Sequence, residues 1–162
     1  MDRAVHFSDE VAAAAARGQP VLGIETVALR AAVAPAARAG LYDELVEVAT
    51  EAGVVLAPLA IVRGAVRIGL TADEMSALLG PDPMPKIGSR DLARVIADRA
   101  SGALTVSGAL AIARLAGLPL IVTGGLGGVQ RGAGDVSADL VELTRGSTAV
   151  VCAGFKPFLD AA

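Results

Sequence analysis

Tryptophan is absent from this chain, and phenylalanine and tyrosine together contribute four residues. Nucleobases therefore have no aromatic platform to stack on. With a formal net charge of −3 there is also no basic excess to hold a phosphate backbone. Both absences argue against a general nucleic-acid binder. Cysteine occurs once, at Cys152, which excludes an internal disulfide and any cysteine-based zinc site. Histidine also occurs once, at His6 near the N-terminus, so the chain offers no Cys–His or Ser–His catalytic pairing. Long apolar runs are missing: each is broken by Arg, Gly or Pro well short of a membrane-spanning length. The stretch from Met1 to Phe7 lacks the basic-then-apolar layout of a secretory signal. A cytoplasmic protein without membrane association is expected.

Lysine is the scarcest charged residue. Twelve of the fourteen basic residues are arginines, leaving Lys86 and Lys156. Arginine stays protonated and cannot serve as an amine nucleophile, whereas a lysine can once burial or a neighbouring charge lowers its pKa. Compositional drift in a chain rich in Ala, Arg and Gly accounts for how few lysines there are. It does not account for their positions. Lys86 follows the Pro-rich turn Pro81-Asp-Pro-Met-Pro85, and Lys156 follows the apolar run Ala149-Val-Val-Cys152. Both are expected where a buried strand meets a loop.

What remains is aliphatic. Of 162 residues, 54% are hydrophobic, mainly Ala, Val and Leu. That length suits a single domain over residues 1–162, with a core of closely packed small side chains. Ser8-Asp-Glu10 is expected to cap a helix over residues 11–17, followed by a buried strand over 21–24 with Glu25 at its end. Residues 31–37 are ambiguous. Helical spacing over 41–52 precedes short apolar runs at 54–57 and 60–62. Residues 62–68 read as a hairpin turning near Arg63-Gly64. Thr71-Ala-Asp-Glu74 is a capping box for a helix reaching Leu79. A further helix is expected from Ser89 to about Asp98. Strand-like residues 103–106 lead into a helix over 107–116. A strand over 118–123, the turn Gly124-Gly-Leu-Gly-Gly128, a helix over 137–144 and a strand over 149–153 complete the chain. Continuously apolar strands alternating with helices predict an α/β fold: a mostly parallel sheet with helices on both faces.

Ligands bind such sheets at the carboxyl ends of the strands. Glu25 stands there. A carboxyl at a buried strand end has a raised pKa and suits a general acid, although capping a helix or pairing with an arginine is the commoner role. The glycine-rich turn fits either close approach to an anion or tight packing. Asp135-Val-Ser-Ala-Asp139 puts two carboxylates around a helix start, where they serve helix capping with Ser137 as N-cap, or a hard cation such as Mg²⁺ or Mn²⁺. Lys156 is either a Schiff-base amine or a surface lysine.

Together these stretches resemble the pseudouridine-5′-phosphate glycosidase family. The matching pieces run in order: Gly18-Gln-Pro-Val-Leu-Gly-Ile-Glu-Thr26, Ala60-Ile-Val-Arg-Gly-Ala-Val-Arg-Ile-Gly-Leu-Thr71, Lys86-Ile-Gly-Ser-Arg-Asp-Leu92, Gly102-Ala-Leu-Thr-Val106, Val122-Thr-Gly-Gly-Leu-Gly-Gly-Val129, Asp135-Val-Ser-Ala-Asp-Leu140 and Val150-Val-Cys-Ala-Gly-Phe-Lys156. The resemblance implies reversible cleavage of the C–C glycosidic bond of pseudouridine 5′-phosphate to uracil and ribose 5-phosphate. It assigns Lys156 as the nucleophile that forms an imine and Glu25 as proton donor. Lys86, Val106, Ser137, Ala138 and Asp139 become substrate-binding positions, and Asp135 the ligand of Mn²⁺. It also implies self-association as a trimer.

The family extends well beyond this chain, which matches its N-terminal half. Its Ser-x-Gly-type loop with His and Pro-Tyr-Pro is replaced by Val27-Ala-Leu-Arg-Ala-Ala-Val-Ala-Pro35, and its His after Gly-Gly-Val by Gln130. Four expectations follow: a compact active glycosidase, a divergent enzyme acting on another C-glycosidic bond, one half of a split enzyme with a separate C-terminal-half subunit, or a non-catalytic binding module.

Overall fold

The chain begins with a short strand, β1 (Val5–Phe7), after which Ser8 accepts a hydrogen bond from the Val11 amide and opens helix α1 (Asp9–Ala16). The computed structural model describes residues 5–156 and 159–160; Met1 to Ala4 of the N-terminal stretch read above lie outside it. Strand β2 (Val21–Glu25) passes directly into α2 (Thr26–Ala31). A 3₁₀ turn, Pro35–Ala37, leads to α3 (Arg38–Glu51). The hairpin of β3 (Val55–Val62) and β4 (Ala65–Ile68) precedes α4 (Ala72–Leu79), which opens with the Thr71–Glu74 capping box. Next come β5 (Lys86–Ile87), α5 (Leu92–Ala97), β6 (Gly102–Leu104), α6 (Val106–Ala116) and β7 (Leu120–Thr123). The final elements are β8 (Val129–Gln130), α7 (Ala138–Leu143), β9 (Ala149–Cys152) and β10 (Leu159–Asp160), which pairs with β8.

The main sheet runs in the order β1-β4-β3-β2-β7-β9, with β6 joined to β3 and β5 to β6. The pairs β1–β4, β2–β3, β2–β7, β5–β6 and β7–β9 are parallel; β3–β4 and β3–β6 are antiparallel. The sheet is therefore mostly parallel, as the sequence pattern predicts. Period-two alternation sends neighbouring side chains to opposite faces. On one face Ala57, Leu59, Leu104 and Ile121 pack with residues of α1, α5 and α6. On the other, Ile24, Leu56 and Ala103 pack with Leu29 of α2, Ala49 of α3 and Leu78 of α4. Many of these positions are alanine, and Ala57, Ala109 and Ala113 are completely buried.

The short strands β1, β8 and β10 were not expected from the sequence, and β3 and α2 differ from it more consequentially. Strand β3 is continuous through Pro58, where two apolar runs were expected; the Pro58 carbonyl is used, accepting from Gly69 N at 2.9 Å. No helix was placed after β2, although helix capping was weighed as the commoner role for Glu25; α2 begins there with Glu25 as its N-cap.

Thr26 explains how the sheet continues past the end of β2. The last paired residue of β2 is Glu25, opposite Leu59, and β6 takes over alongside β3 at Ala60 and Ile61. At this handover the fully buried Thr26 hydroxyl donates to the Leu59 carbonyl (2.7 Å) and accepts from the Leu104 amide (2.9 Å). One side chain thereby replaces ladder bonds that the strand ends leave unmade. Thr26→Val keeps the shape and removes both bonds, so chemical denaturation is expected to show a loss of roughly 2–4 kcal/mol, with Thr26→Ser close to wild type.

Candidate active site

Strands β2, β7 and β9 are adjacent and parallel, so their carboxyl ends fall in a row. Glu25 ends β2, Thr123 ends β7, and Lys156 lies just beyond β9.

Glu25 is 4% exposed. Its Oε2 accepts from Ala28 N at 2.9 Å, which caps α2, and from Thr123 Oγ1 at 3.0 Å. The capping role and the raised pKa therefore coexist. Burial pushes the Glu25 pKa up from 4.5 to about 7. The bonds from Thr123 and Ala28 and the positive charge of Lys156 oppose that rise, and the charge of Asp139 adds to it. Glu25 is thus balanced between its acid and base forms near neutrality.

Asp139 sits in the first turn of α7 and is 6% exposed. Its Oδ1 accepts from Ser107 N (2.8 Å) at the start of α6, and its Oδ2 from Gly127 N (2.9 Å) in the glycine-rich turn. A Cβ on residue 127 would lie 2.7 Å from Ser137 Cβ and 3.0 Å from Asp139 Oδ2, so this approach requires glycine. Ser137 accepts from Asp139 N at 3.2 Å and caps α7, as expected, and Ala138 is the first residue of that helix. Val106, buried, is the first residue of α6. The glycine-rich turn also runs beside the lysine segment: Leu126 N donates to Gly154 O (3.0 Å) and Lys156 N to Leu126 O (2.9 Å). The Lys156 side chain is exposed.

Glu25, Asp139 and Lys156 thus share one neighbourhood with Val106, Ser137 and Ala138 beside it. Lys86 belongs to another. Ile87 enters the core formed with α1, α5 and α6, so Lys86 points to the opposite sheet face, where it meets Val27, Arg30, Arg38 and Met84. Asp135 is exposed, and its backbone carbonyl accepts from Gln130 N (2.8 Å). The implied Mn²⁺ finds a poor fit. Both Asp139 oxygens are taken by amides, and among the described residues no group of three or more His, Cys, Asp or Glu side chains could hold a metal. Asp135 offers a lone carboxylate, so no chemical step is assigned to the ion here. Thr123, the hydroxyl on Glu25, was not picked out from sequence; its signal was a polar residue ending an apolar strand directly before the glycine turn. A cavity of about 650 Å³ lies elsewhere, among His6, Arg67, Glu74 and Ser101.

Fold and site together define an α/β protein that brings a buried acid and a lysine to the carboxyl ends of neighbouring parallel strands. The family described as Indigoidine synthase A like protein matches residues 10–162, and the chain belongs to that family. A pseudouridine-5′-phosphate glycosidase of Alkaliphilus metalliredigens is 37% identical, aligned over 99% of this chain and 53% of its own length. The one from a Nocardioides species is 41% identical over 95% of this chain and 51% of its own. Among solved structures, the prealnumycin C-glycosynthase AlnA in complex with ribulose 5-phosphate superposes with a TM-score of 0.89 at 31% identity, covering 99% of this chain and 53% of that one. An indigoidine synthase A-like protein from Thermotoga maritima gives a TM-score of 0.84 at 31% identity, covering 96% of this chain and 51% of its own. The chain spans about half the length of the curated relatives it matches. Among the described residues no helix is long and apolar enough to cross a membrane.

Two outcomes follow from the site. In the pH range between the unfolded Glu25 pKa of 4.5 and the folded value of about 7, the native state holds a proton that the unfolded state has lost. Stability therefore falls as pH rises through that window, by about 3 kcal/mol for this group. Urea denaturation at pH about 5 and about 8 is expected to show this fall in wild type and to show it reduced in Glu25→Gln. Asp139→Asn presents an amide NH₂ to one of two backbone donors, so a loss of about 1–3 kcal/mol is expected in the same assay.

Proposed function

We propose that the chain carries the acid and the nucleophile of a C-glycosidase acting on pseudouridine 5′-phosphate. The observation that supports this best is Glu25, pushed to a pKa of about 7 at the end of β2 and within electrostatic reach of Lys156. A C–C glycosidic bond has no heteroatom leaving group, so breaking it needs an acid for the departing carbon and an electron source at C1′. In the proposed sequence, Lys156 Nζ adds to C1′ as the ring oxygen leaves, the nitrogen passes a proton to that oxygen, and the sugar opens. Glu25 gives its proton to the base carbon bonded to C1′. The nitrogen lone pair then expels uracil and leaves a protonated imine. Water hydrolyses the imine to ribose 5-phosphate, freeing the lysine and returning a proton to Glu25.

Asp139 and Ser137 hold the glycine turn and α7 in place beside the sugar, and Val106 offers backbone at the start of α6. Asp135 would offer a single carboxylate to Mn²⁺, with the other ligands coming from outside the described residues. The remainder of the relatives' length has to be supplied, by further chain, by a separate subunit or by self-association, and a cytoplasmic setting belongs to the same proposal. The similarity to a C-glycosynthase supports a second reading, formation of a C-glycoside by the same steps in reverse.

Borohydride reduction in the presence of ribose 5-phosphate tests the imine. A sugar-phosphate adduct mapped to Lys156 by peptide mass spectrometry, and lost in Lys156→Arg, is the expected result. A folded chain that gives no adduct, alone or with a partner restored, overturns the enzymatic reading in favour of a non-catalytic binding module.

A further inference from the structure

Both hydrogen bonds to Glu25 fall on one of its two oxygens. Ala28 N reaches Oε2 at 2.9 Å, and Thr123 Oγ1 reaches the same atom at 3.0 Å. Oε1 accepts none among the described residues. It is not sealed in either, because the enclosed side-chain atoms without a partner are Arg38 Nε and Arg67 Nε. Oε1 is therefore the edge of the carboxyl that water or a ligand can touch. Two charges face the group without bonding to it: Lys156 beyond β9 opposes its protonation, and Asp139 on α7 favours it.

A neutral carboxyl has one oxygen that carries the proton and a carbonyl oxygen that is the better acceptor. The Ala28 amide can only donate, whereas the Thr123 hydroxyl can donate or accept. Two arrangements compete. Either the proton is on Oε1 and both neighbours donate to Oε2, or it is on Oε2 and is given to Thr123 Oγ1. The second makes the Ala28 amide donate to a hydroxyl oxygen and leaves the carbonyl oxygen Oε1 with no protein donor. The first gives both donors the better acceptor. We infer that Thr123 is a positioning residue for the proposed acid: together with the Ala28 amide it makes Oε2 the carbonyl oxygen and puts the transferable proton on Oε1, the edge open to a ligand. This rests on the reading of Glu25 as proton donor. Threonine suits the task because its branched side chain is stiff at χ1, and pairing with Cys152 fixes the backbone that carries it. Once the proton has left, the same two donors hold the negative charge, and such charge-assisted bonds are roughly twice as strong as neutral ones. Thr123 thus aims the proton and eases its release.

Infrared difference spectra of wild type minus Glu25→Gln, recorded without substrate from pH about 5 to about 9, test the assignment through the carbonyl stretch of the protonated carboxyl. Hydrogen bonds to a carbonyl oxygen lower that stretch. The wild-type band is expected at the low-frequency end of the range for protonated carboxyls, as two donors on Oε2 require. Thr123→Val should raise its frequency and move its pH midpoint up by roughly one unit, because the ionised form loses a donor. Thr123→Ser should restore both. A merely structural role for Thr123 would change stability and leave the band where it is. A wild-type band at the frequency of an unbonded carbonyl, no protonated band at pH about 5, or a band unmoved in Thr123→Val that circular dichroism shows to be folded overturns the assignment. The first two outcomes need no Thr123 variant, so the test stands even where Thr123→Val fails to fold. Lys156 takes no part in this measurement. A missing borohydride adduct with the expected band removes the reaction and keeps the proton placement, and an adduct with the wrong band does the reverse.

Discussion

The Asp139 carboxylate is the joint on which the site depends. Its two oxygens are taken by the Ser107 and Gly127 amides, so one side chain ties α6, the glycine-rich turn and α7 together. A buried carboxylate is tolerated only when its oxygens find donors, and the Ser107 amide is well suited because it lies at the start of α6, where the helix dipole adds to the bond. The turn held this way carries Leu126, whose amide and carbonyl bracket Gly154 and Lys156. Asp139 therefore fixes the backbone of the lysine segment at one remove. Its charge also helps hold the Glu25 proton in place. Asp139 thus sets position in this corner and adds a smaller contribution to a protonation state that burial of Glu25 mainly decides.

The sheet order explains why these groups meet. Glu25, Thr123 and the lysine segment come from chain positions far apart, yet β2, β7 and β9 are neighbours, and parallel pairing aligns their carboxyl ends. Thr123 spans the step from β7 to β2 with one hydroxyl bond to Glu25. Thr26, the next residue after Glu25, spans the step from β3 to β6 with two more. Consecutive residues thus point to different tasks: Glu25 to the site and Thr26 to the sheet. That division leaves Glu25 few ways to move, which suits a group whose proton has to be delivered at a defined place.

Local chemistry carried much of this into the sequence. Ser8, Thr71 and Ser137 cap the helices expected of them, because a cap is decided within one helical turn. The α/β pattern and the family resemblance were readable for the same reason: apolar runs and motif spacing are one-dimensional. What escaped depends on distant partners. Helix capping was weighed for Glu25, but the helix itself was not placed, because α2 is six residues long and starts where the strand stops. The length of β3 was missed because Pro58 reads as a strand breaker, although the position uses only the proline carbonyl. For Asp139, helix capping and metal binding were weighed. Its oxygens accept from the Ser107 and Gly127 amides, 32 and 12 residues away, the first of them in the opening turn of α6 rather than of its own helix. Spacing within Asp135–Asp139 held no information about them.

The exposure of Lys156 follows from the same topology. Among the described residues β9 pairs only with β7, so the lysine segment stands at an edge of the main sheet, with Val151 and Phe155 exposed beside it. An amine that is to attack a sugar carbon has to be neutral, and removal from water is the commonest way to favour that form. On the proposed function, chain laid along the β9 edge and over Lys156 would extend the sheet and desolvate the amine together. The curated relatives have about twice the length over which this chain aligns, so they have chain available for that role. For the chain described here, the acid is already set by its own burial, and the amine is the group whose chemistry depends on what lies against the edge.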